Sequence, residues 1–142
     1  MIGVDTTFLV QLEIRELDAH QAAASFLTRQ LRSAGRFALT AQVIHEFLHI
    51  VTDGKRFREP LAMPTAIAKA QHWWNAAEVT VVHPVAATMD LFFEWMGQYS
   101  LGRKRIFDTY LAATYVSGGV TTIVTSNARD FGVFPELEII HL

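Results

Sequence analysis

Met1-Ile2-Gly3-Val4-Asp5-Thr6-Thr7-Phe8-Leu9 opens the chain with a short apolar run that ends on an acid, after which Thr6 to Glu16 reads as a helix. The same unit recurs downstream. Ala19 to Ala34 carries Ala22, Ala23, Phe26, Leu27 and Leu31 at helical spacing, and Gly35 stands where a helix C-cap is expected. Phe37-Ala38-Leu39 is a second short strand, and Thr40 caps a helix from Ala41 to Asp53. A charged, Pro-containing connection, Lys55 to Pro64, leads to a helix over Thr65 to Ala77. Val79 to Val82 reads as a strand, and Pro84 can open a helix that runs to Tyr99. A helix over Phe107 to Ser117 stops at Gly118-Gly119, and strands at Thr122 to Thr125 and Leu137 to Ile140 follow.

Short β-rich runs thus alternate with helices from end to end. Their near-continuous apolar character is that of strands covered on both faces. The pattern predicts an α/β sandwich around a mainly parallel sheet. Such folds bind ligands beyond the carboxyl ends of their strands. Asp5 and the stretch Thr125 to Asp130 are therefore candidate site residues on topology alone.

The 142 residues show no repeat, low-complexity tract or linker, which predicts one domain over 1–142. A composition of 51% hydrophobic and 18% charged residues excludes a disordered tail, a collagen-like repeat and a coiled coil. Cysteine is absent, so there is no disulfide framework and no Cys-ligated cluster, as suits a reducing cytoplasm. The net charge of −2 argues against a protein that grips duplex nucleic acid by bulk electrostatics. It leaves room for local basic patches, of which Lys55-Arg56-x-Arg58 and Arg103-Lys104-Arg105 are the dense ones. The N-terminal residues lack a basic n-region, and no apolar run approaches the roughly 18 residues of a membrane span, so neither a signal peptide nor a span is expected.

His45-Glu46-Phe47-Leu48-His49 matches H-E-x-x-H on a predicted helix, the pattern of two zinc ligands and a general base. Val43, Ile44, Phe47, Leu48 and Val51 share one apolar face, with His45, Glu46 and His49 on the other. The extended form of that motif needs a glycine and a third histidine where this chain has Thr52 and Lys55. Glu78 and His72 are only arbitrary substitutes, and a zinc peptidase leaves Asp5, Asp108 and Asp130 unexplained. The plainer reading is two histidines on the polar side of an amphipathic helix, with His49 open to a role at a site rim.

The acids at element ends form a second constellation. Asp5 alone reads as a helix N-cap, Asp108 as a first-turn acid favoured by the helix dipole, and Asp130 as a turn residue. Glu46 alone reads as a solvated face residue. Together, parallel-sheet topology gathers these four at one edge. Clustered carboxylates repel unless a cation neutralises them, and all-oxygen ligands suit Mg²⁺ or Mn²⁺ rather than zinc.

Four stretches in this order resemble a known family. They are Val4-Asp5-Thr6-Thr7-Phe8-Leu9, Thr40 to Phe47 with its helical Glu46, Phe107-Asp108-Thr109-Tyr110-Leu111-Ala112-Ala113-Thr114, and Val124-Thr125-Ser126-Asn127-Ala128-Arg129-Asp130-Phe131. The chain resembles PIN-domain ribonucleases, and more closely the VapC-type toxins of bacterial toxin–antitoxin pairs. The resemblance implies a three-layer α/β/α sandwich and a metal-dependent endoribonuclease. Asp5, Glu46, Asp108 and Asp130 would then hold Mg²⁺ or Mn²⁺ and carry catalysis, with Thr6, Thr125 and Asn127 orienting them. Some members of the family carry Asp where this chain has Asn127. The same threonines could instead simply hydrogen-bond at strand ends. Arg129, Arg103, Lys104 and Arg105 are the candidates for gripping RNA. Trp73-Trp74, Phe92-Phe93 and Trp95 could stack bases, but their helical setting favours core or interface. The implied partners are RNA, a cognate antitoxin and a second copy of the chain. A PIN-like domain that binds RNA or protein without cleaving is the non-enzymatic alternative, against which an intact acid set argues.

Overall fold

Each of the short apolar runs becomes a strand of one sheet in the computed structural model, which describes all 142 residues. In chain order the elements are β1 (Ile2–Val4), α1 (Thr6–Glu13), α2 (His20–Arg32), β2 (Phe37–Leu39), α3 (Ala41–Val51), α4 (Met63–Trp74), β3 (Val79–Val81), α5 (Ala86–Gln98), a 3-10 turn (Arg103–Arg105), α6 (Ile106–Ser117), β4 (Thr122–Thr125), α7 (Ala128–Phe131) and β5 (Glu138–His141). The strand order is β3-β2-β1-β4-β5, and every pairing is parallel. β1 lies at the centre, pairing Gly3 with Ala38 of β2 on one side and with Ile123 of β4 on the other.

The chain steps outward from β1 to β2 to β3, then crosses back to lay β4 and β5 on the opposite side. Right-handed crossovers accordingly put α1 to α4 on one face and α5 to α7 on the other. The packing agrees: α1 touches α2 and α3, α3 touches α4, and on the other face α6 packs against α5 and α7. The result is a three-layer sandwich. The direction of winding reverses between β1 and β4, which makes their carboxyl ends the switch point of the sheet.

Burial explains the continuous apolar runs. Val4, Phe37, Ala38, Leu39, Ile123 and Val124 are almost wholly buried because helices cover both faces. Val43, Phe47 and Val51, at i, i+4 and i+8, form the buried stripe of α3. Trp73 and Trp95 join the core, Trp95 stacking on Phe134 at 4.4 Å between ring centroids. Glu13 ties the end of α1 to α4 by accepting from Lys69 Nζ at 2.5 Å and Trp73 Nε1 at 2.9 Å.

The boundaries depart from the sequence reading where caps and tertiary contacts intervene. α1 ends at Glu13 rather than Glu16, since Glu16 turns to Arg58 and the Glu59 N–H. At the end of α2, Ala34 rather than Gly35 takes the left-handed conformation, at φ 54°. The Gly35 N–H returns 2.8 Å to the Gln30 carbonyl, so this glycine serves close approach: a Cβ there would lie 2.8 Å from the same oxygen. Pro84 precedes α5, whose N-cap is Val85. α4 begins two residues earlier than expected with Pro64 in its first turn. α7 and the 3-10 turn have no counterpart in the sequence reading; both are a single turn, too short for a periodic pattern.

Tyr115 of α6 locks the central strand to the layer above it. Its ring lies over Gly3, where a Cβ would come within 3.0 Å of the ring edge. Its buried hydroxyl donates to the Val4 carbonyl at 2.7 Å and accepts the Val4 N–H at 3.1 Å, with the Ala38 carbonyl also at 3.1 Å. Burial pushes the phenol above its ordinary pKa, and the hydroxyl stays protonated as the donor these contacts need. Tyr115→Phe leaves both polar groups of Val4 without this partner. It should lower unfolding free energy by about 1–3 kcal/mol in denaturant titrations, with an unchanged m-value.

Candidate functional site

Asp5 leaves the carboxyl end of β1 in an extended conformation and caps α1, its Oδ1 accepting the Thr6 N–H at 2.7 Å. Its Oδ2 accepts two hydroxyls at 2.6 Å, from Thr7 at the start of α1 and from Thr125 at the end of β4. The side chain therefore spans the switch point and is only 5% exposed. Burial raises its pKa above the usual carboxylate value and the charge of Glu46 adds to this, while the Thr125, Thr7 and Thr6 hydrogen bonds oppose. The same hydroxyls order the loop after β4. Thr7 accepts the Ser126 N–H at 3.1 Å, and Thr125 accepts the Asn127 N–H at 2.8 Å.

Glu46 enters from α3. Thr6 donates its hydroxyl to Glu46 Oε2 at 2.9 Å, and Gln42, one helical turn earlier, donates to Oε1 at 3.0 Å. The Gln42 amide also reaches the Phe107 carbonyl at 3.0 Å, joining α3 to the start of α6. Thr7 and Gln42 were not among the sequence candidates. The signals were present: a second hydroxyl directly after Asp5-Thr6, and an amide at i−4 from Glu46 on a helix.

Asp108 sits in the first turn of α6 and Asp130 in the single turn of α7. Burial, then the charges of Asp5 and Asp130, push the Asp108 carboxyl up to about 6; Arg105 opposes and Glu46 adds a smaller push. All four acids thus share one electrostatic field. Asn127 Nδ2 donates to Asp130 Oδ2 at 2.5 Å.

The basic run Arg103-Lys104-Arg105 is split. Arg103 and Lys104 are exposed, as is Arg129 beside Asp130. Arg105 instead folds inward, with Nη1 3.3 Å from Asp130 Oδ1 and Nε 3.9 Å from Asp108 Oδ2. The Arg56 and Arg58 guanidinium groups pair with Asp53 and Glu16. They lie past the far end of α3, whose 11 residues carry the chain about 16 Å from the strand ends.

His45 and His49 are exposed, and no third ligand joins them; Glu46 turns to Thr6 and Gln42 instead. Nor do three of the acids close on one point as they stand, each being turned to its own hydrogen-bond or ion-pair partner. The donor set is nevertheless all oxygen and carries excess negative charge, which suits a hard divalent cation. A cleft of about 360 Å³ lined by Gln42, His45, Glu46, Phe107 and Tyr110 gives access to Glu46.

The Asp108 shift has a definite sign in the metal-free protein. Between the ordinary carboxyl pKa and about 6, the folded chain holds a proton that the unfolded chain has lost. Its contribution to stability therefore falls as pH rises through that window. Asp108→Asn should remove this slope and melt a few degrees above wild type in EDTA at pH 7.5, the difference shrinking at pH 4. Thermal melts at the two pH values check this; a variant that melts lower at pH 7.5 would mean that Asp108 is not crowded by the other acids.

The geometry can be set beside known proteins. The chain is 29% identical over 145 aligned residues to ribonuclease VapC24 of Mycobacterium tuberculosis, covering 94% of this chain and 91% of that one. Its fold is similar to VapBC2 of Rickettsia felis, solved bound to a promoter DNA fragment, with a TM-score of 0.70 at 16% identity over 100% and 99% of the two chains. It is equally similar to M. tuberculosis VapC20, described as a sarcin-ricin loop cleaving toxin, with a TM-score of 0.70 at 18% identity over 94% and 95%. The PIN domain pattern matches residues 2–137, which hold β1 to β4 of the parallel sheet and all four acids, so the chain belongs to the PIN domain family.

Proposed function

We propose that this protein is a divalent-metal-dependent endoribonuclease and the toxin of a toxin–antitoxin pair. The observation that carries the reading is the meeting of Asp5, Glu46, Asp108 and Asp130 in one field at the switch point of the sheet. The ribonuclease name of the VapC24 relative and the toxin description of VapC20 support it. The VapBC2 neighbour supports an antitoxin as partner. The exposed Met89 and Phe93, one turn apart on α5, together with Val85 at its N-cap, suit a second copy of the chain. No helix is long and apolar enough to cross a membrane. With no cysteine in the chain, we assign the protein to the cytoplasm, as one domain over 1–142.

In this reading the four carboxylates hold Mg²⁺ or Mn²⁺. A bound divalent ion supplies an activated water and neutralises charge on the phosphodiester. The protein's own part is positioning. The three donors on Asp5 fix its carboxylate at the sheet edge, Thr6 and Gln42 aim Glu46, and Asn127 aims Asp130. Exposed Arg103, Lys104 and Arg129 ring this edge and take the RNA backbone.

Asp5→Asn and Asp108→Asn should reduce cleavage of structured RNA to background, and EDTA should do the same to wild type. Thr125→Val should cost about 10–100-fold, because it frees the Asp5 carboxylate from its strand-end donor. His45→Ala should retain most activity. Gel assays with Mg²⁺ or Mn²⁺ test the four variants and the EDTA treatment. Cleavage that survives Asp5→Asn, or that depends on His45 and His49 with stoichiometric zinc, overturns the proposal.

A further inference from the structure

Arg105 turns into the acidic site while its neighbours Arg103 and Lys104 stay exposed. The 3-10 turn sets it three residues before Asp108, which brings the guanidinium alongside the first turn of α6. Three contacts hold it there: Nη1 to Asp130 Oδ1 at 3.3 Å, Nη2 to the Asp130 backbone carbonyl, and Nε 3.9 Å from Asp108 Oδ2. The last is too long for a hydrogen bond, and Nε is buried with no acceptor. Nε is thus desolvated for an ion pair that is only partly closed. With Asn127 on Oδ2, both oxygens of Asp130 are engaged.

We propose that Arg105 is a built-in counter-ion that holds Asp108 and Asp130 in the metal-free protein and competes with the divalent cation for them. This rests on the metal-dependent reading above. A guanidinium and a divalent ion satisfy the same need, which is to neutralise carboxylates forced together by the fold. Both cannot occupy the face of Asp130 and Asp108 at once. Arg105 accordingly lowers metal affinity, and it must turn aside when the ion is held by these two acids.

Mn²⁺ binding measured by titration calorimetry, without RNA, tests the proposal. Arg105→Met should bind Mn²⁺ about threefold to tenfold more tightly than wild type, the range expected when a charge-assisted contact no longer has to be broken. Its metal-free form should melt lower than wild type, and saturating Mn²⁺ should narrow that gap. Lys104→Met removes the same charge from the same turn without removing any contact, and should change affinity far less. Arg105→Lys keeps the charge but loses the fork, and should fall between wild type and Arg105→Met; it also serves if the Met variant fails to fold. Equal effects of Lys104→Met and Arg105→Met, or a folded Arg105→Met with unchanged or weaker Mn²⁺ affinity, overturn the proposal. Binding that Asp108→Asn abolishes and Arg105→Met leaves unmoved overturns this inference alone. No Mn²⁺ binding by wild type overturns the metal-dependent reading together with it.

Discussion

Burying the Asp5 carboxylate at the carboxyl end of the central strand is the constraint on which the rest of the site depends. A carboxylate that is 5% exposed is costly unless donors replace its water. Here the donors are one backbone N–H at the start of α1 and the hydroxyls of Thr7 and Thr125. They come from two elements that meet only because β1 and β4 are parallel neighbours. The crossovers that place those strands side by side also send α1 to one face and α7 to the other. One buried acid therefore couples sheet order, the start of a helix and the course of the loop after β4.

The same packing creates an electrostatic problem that local structure does not solve. Glu46 from α3, Asp108 from α6 and Asp130 from α7 are each acceptable on their own helix. Assembled around Asp5, they leave Asp108 partly buried among like charges, and both effects disfavour its charged form, burial the more strongly. Hydroxyl and amide donors from Thr6, Gln42 and Asn127 relieve part of this, and the Arg105 guanidinium relieves more. An acidic edge kept partly unneutralised by its own chain is a place where an external cation gains the most. That links the packing of the domain to the proposed chemistry.

The core shows why this fold was readable. Val4, Phe37 to Leu39 and Ile123-Val124 are apolar without alternation because each is covered on both sides, and that pattern is written locally. The order Asp5, Glu46, Asp108, Asp130 was readable too, since each acid follows a strand or starts or rides a helix at a spacing the PIN family shares. The single turns of α7 and the 3-10 segment were not. Their geometry comes from contacts of Phe131 with the core and of Arg105 with Asp130, which lie far apart in sequence.

By itself the sequence determined the alternation of strands and helices, the parallel character of the sheet and which acids stand at element ends. Those are consequences of local periodicity, capping and turn chemistry. Only the tertiary structure decided how those acids are held. Neighbouring residues of the run Arg103-Lys104-Arg105 look alike as a string, yet two face solvent and one is drawn inward by carboxylates 3 and 25 positions away. Likewise, Tyr115 reads as one more apolar residue of a helix until its hydroxyl is seen to meet the backbone of Val4, 111 residues away. Charge and hydrogen-bond partners act over ångströms of space, and the chain brings such partners together only when the sheet has set its strand order.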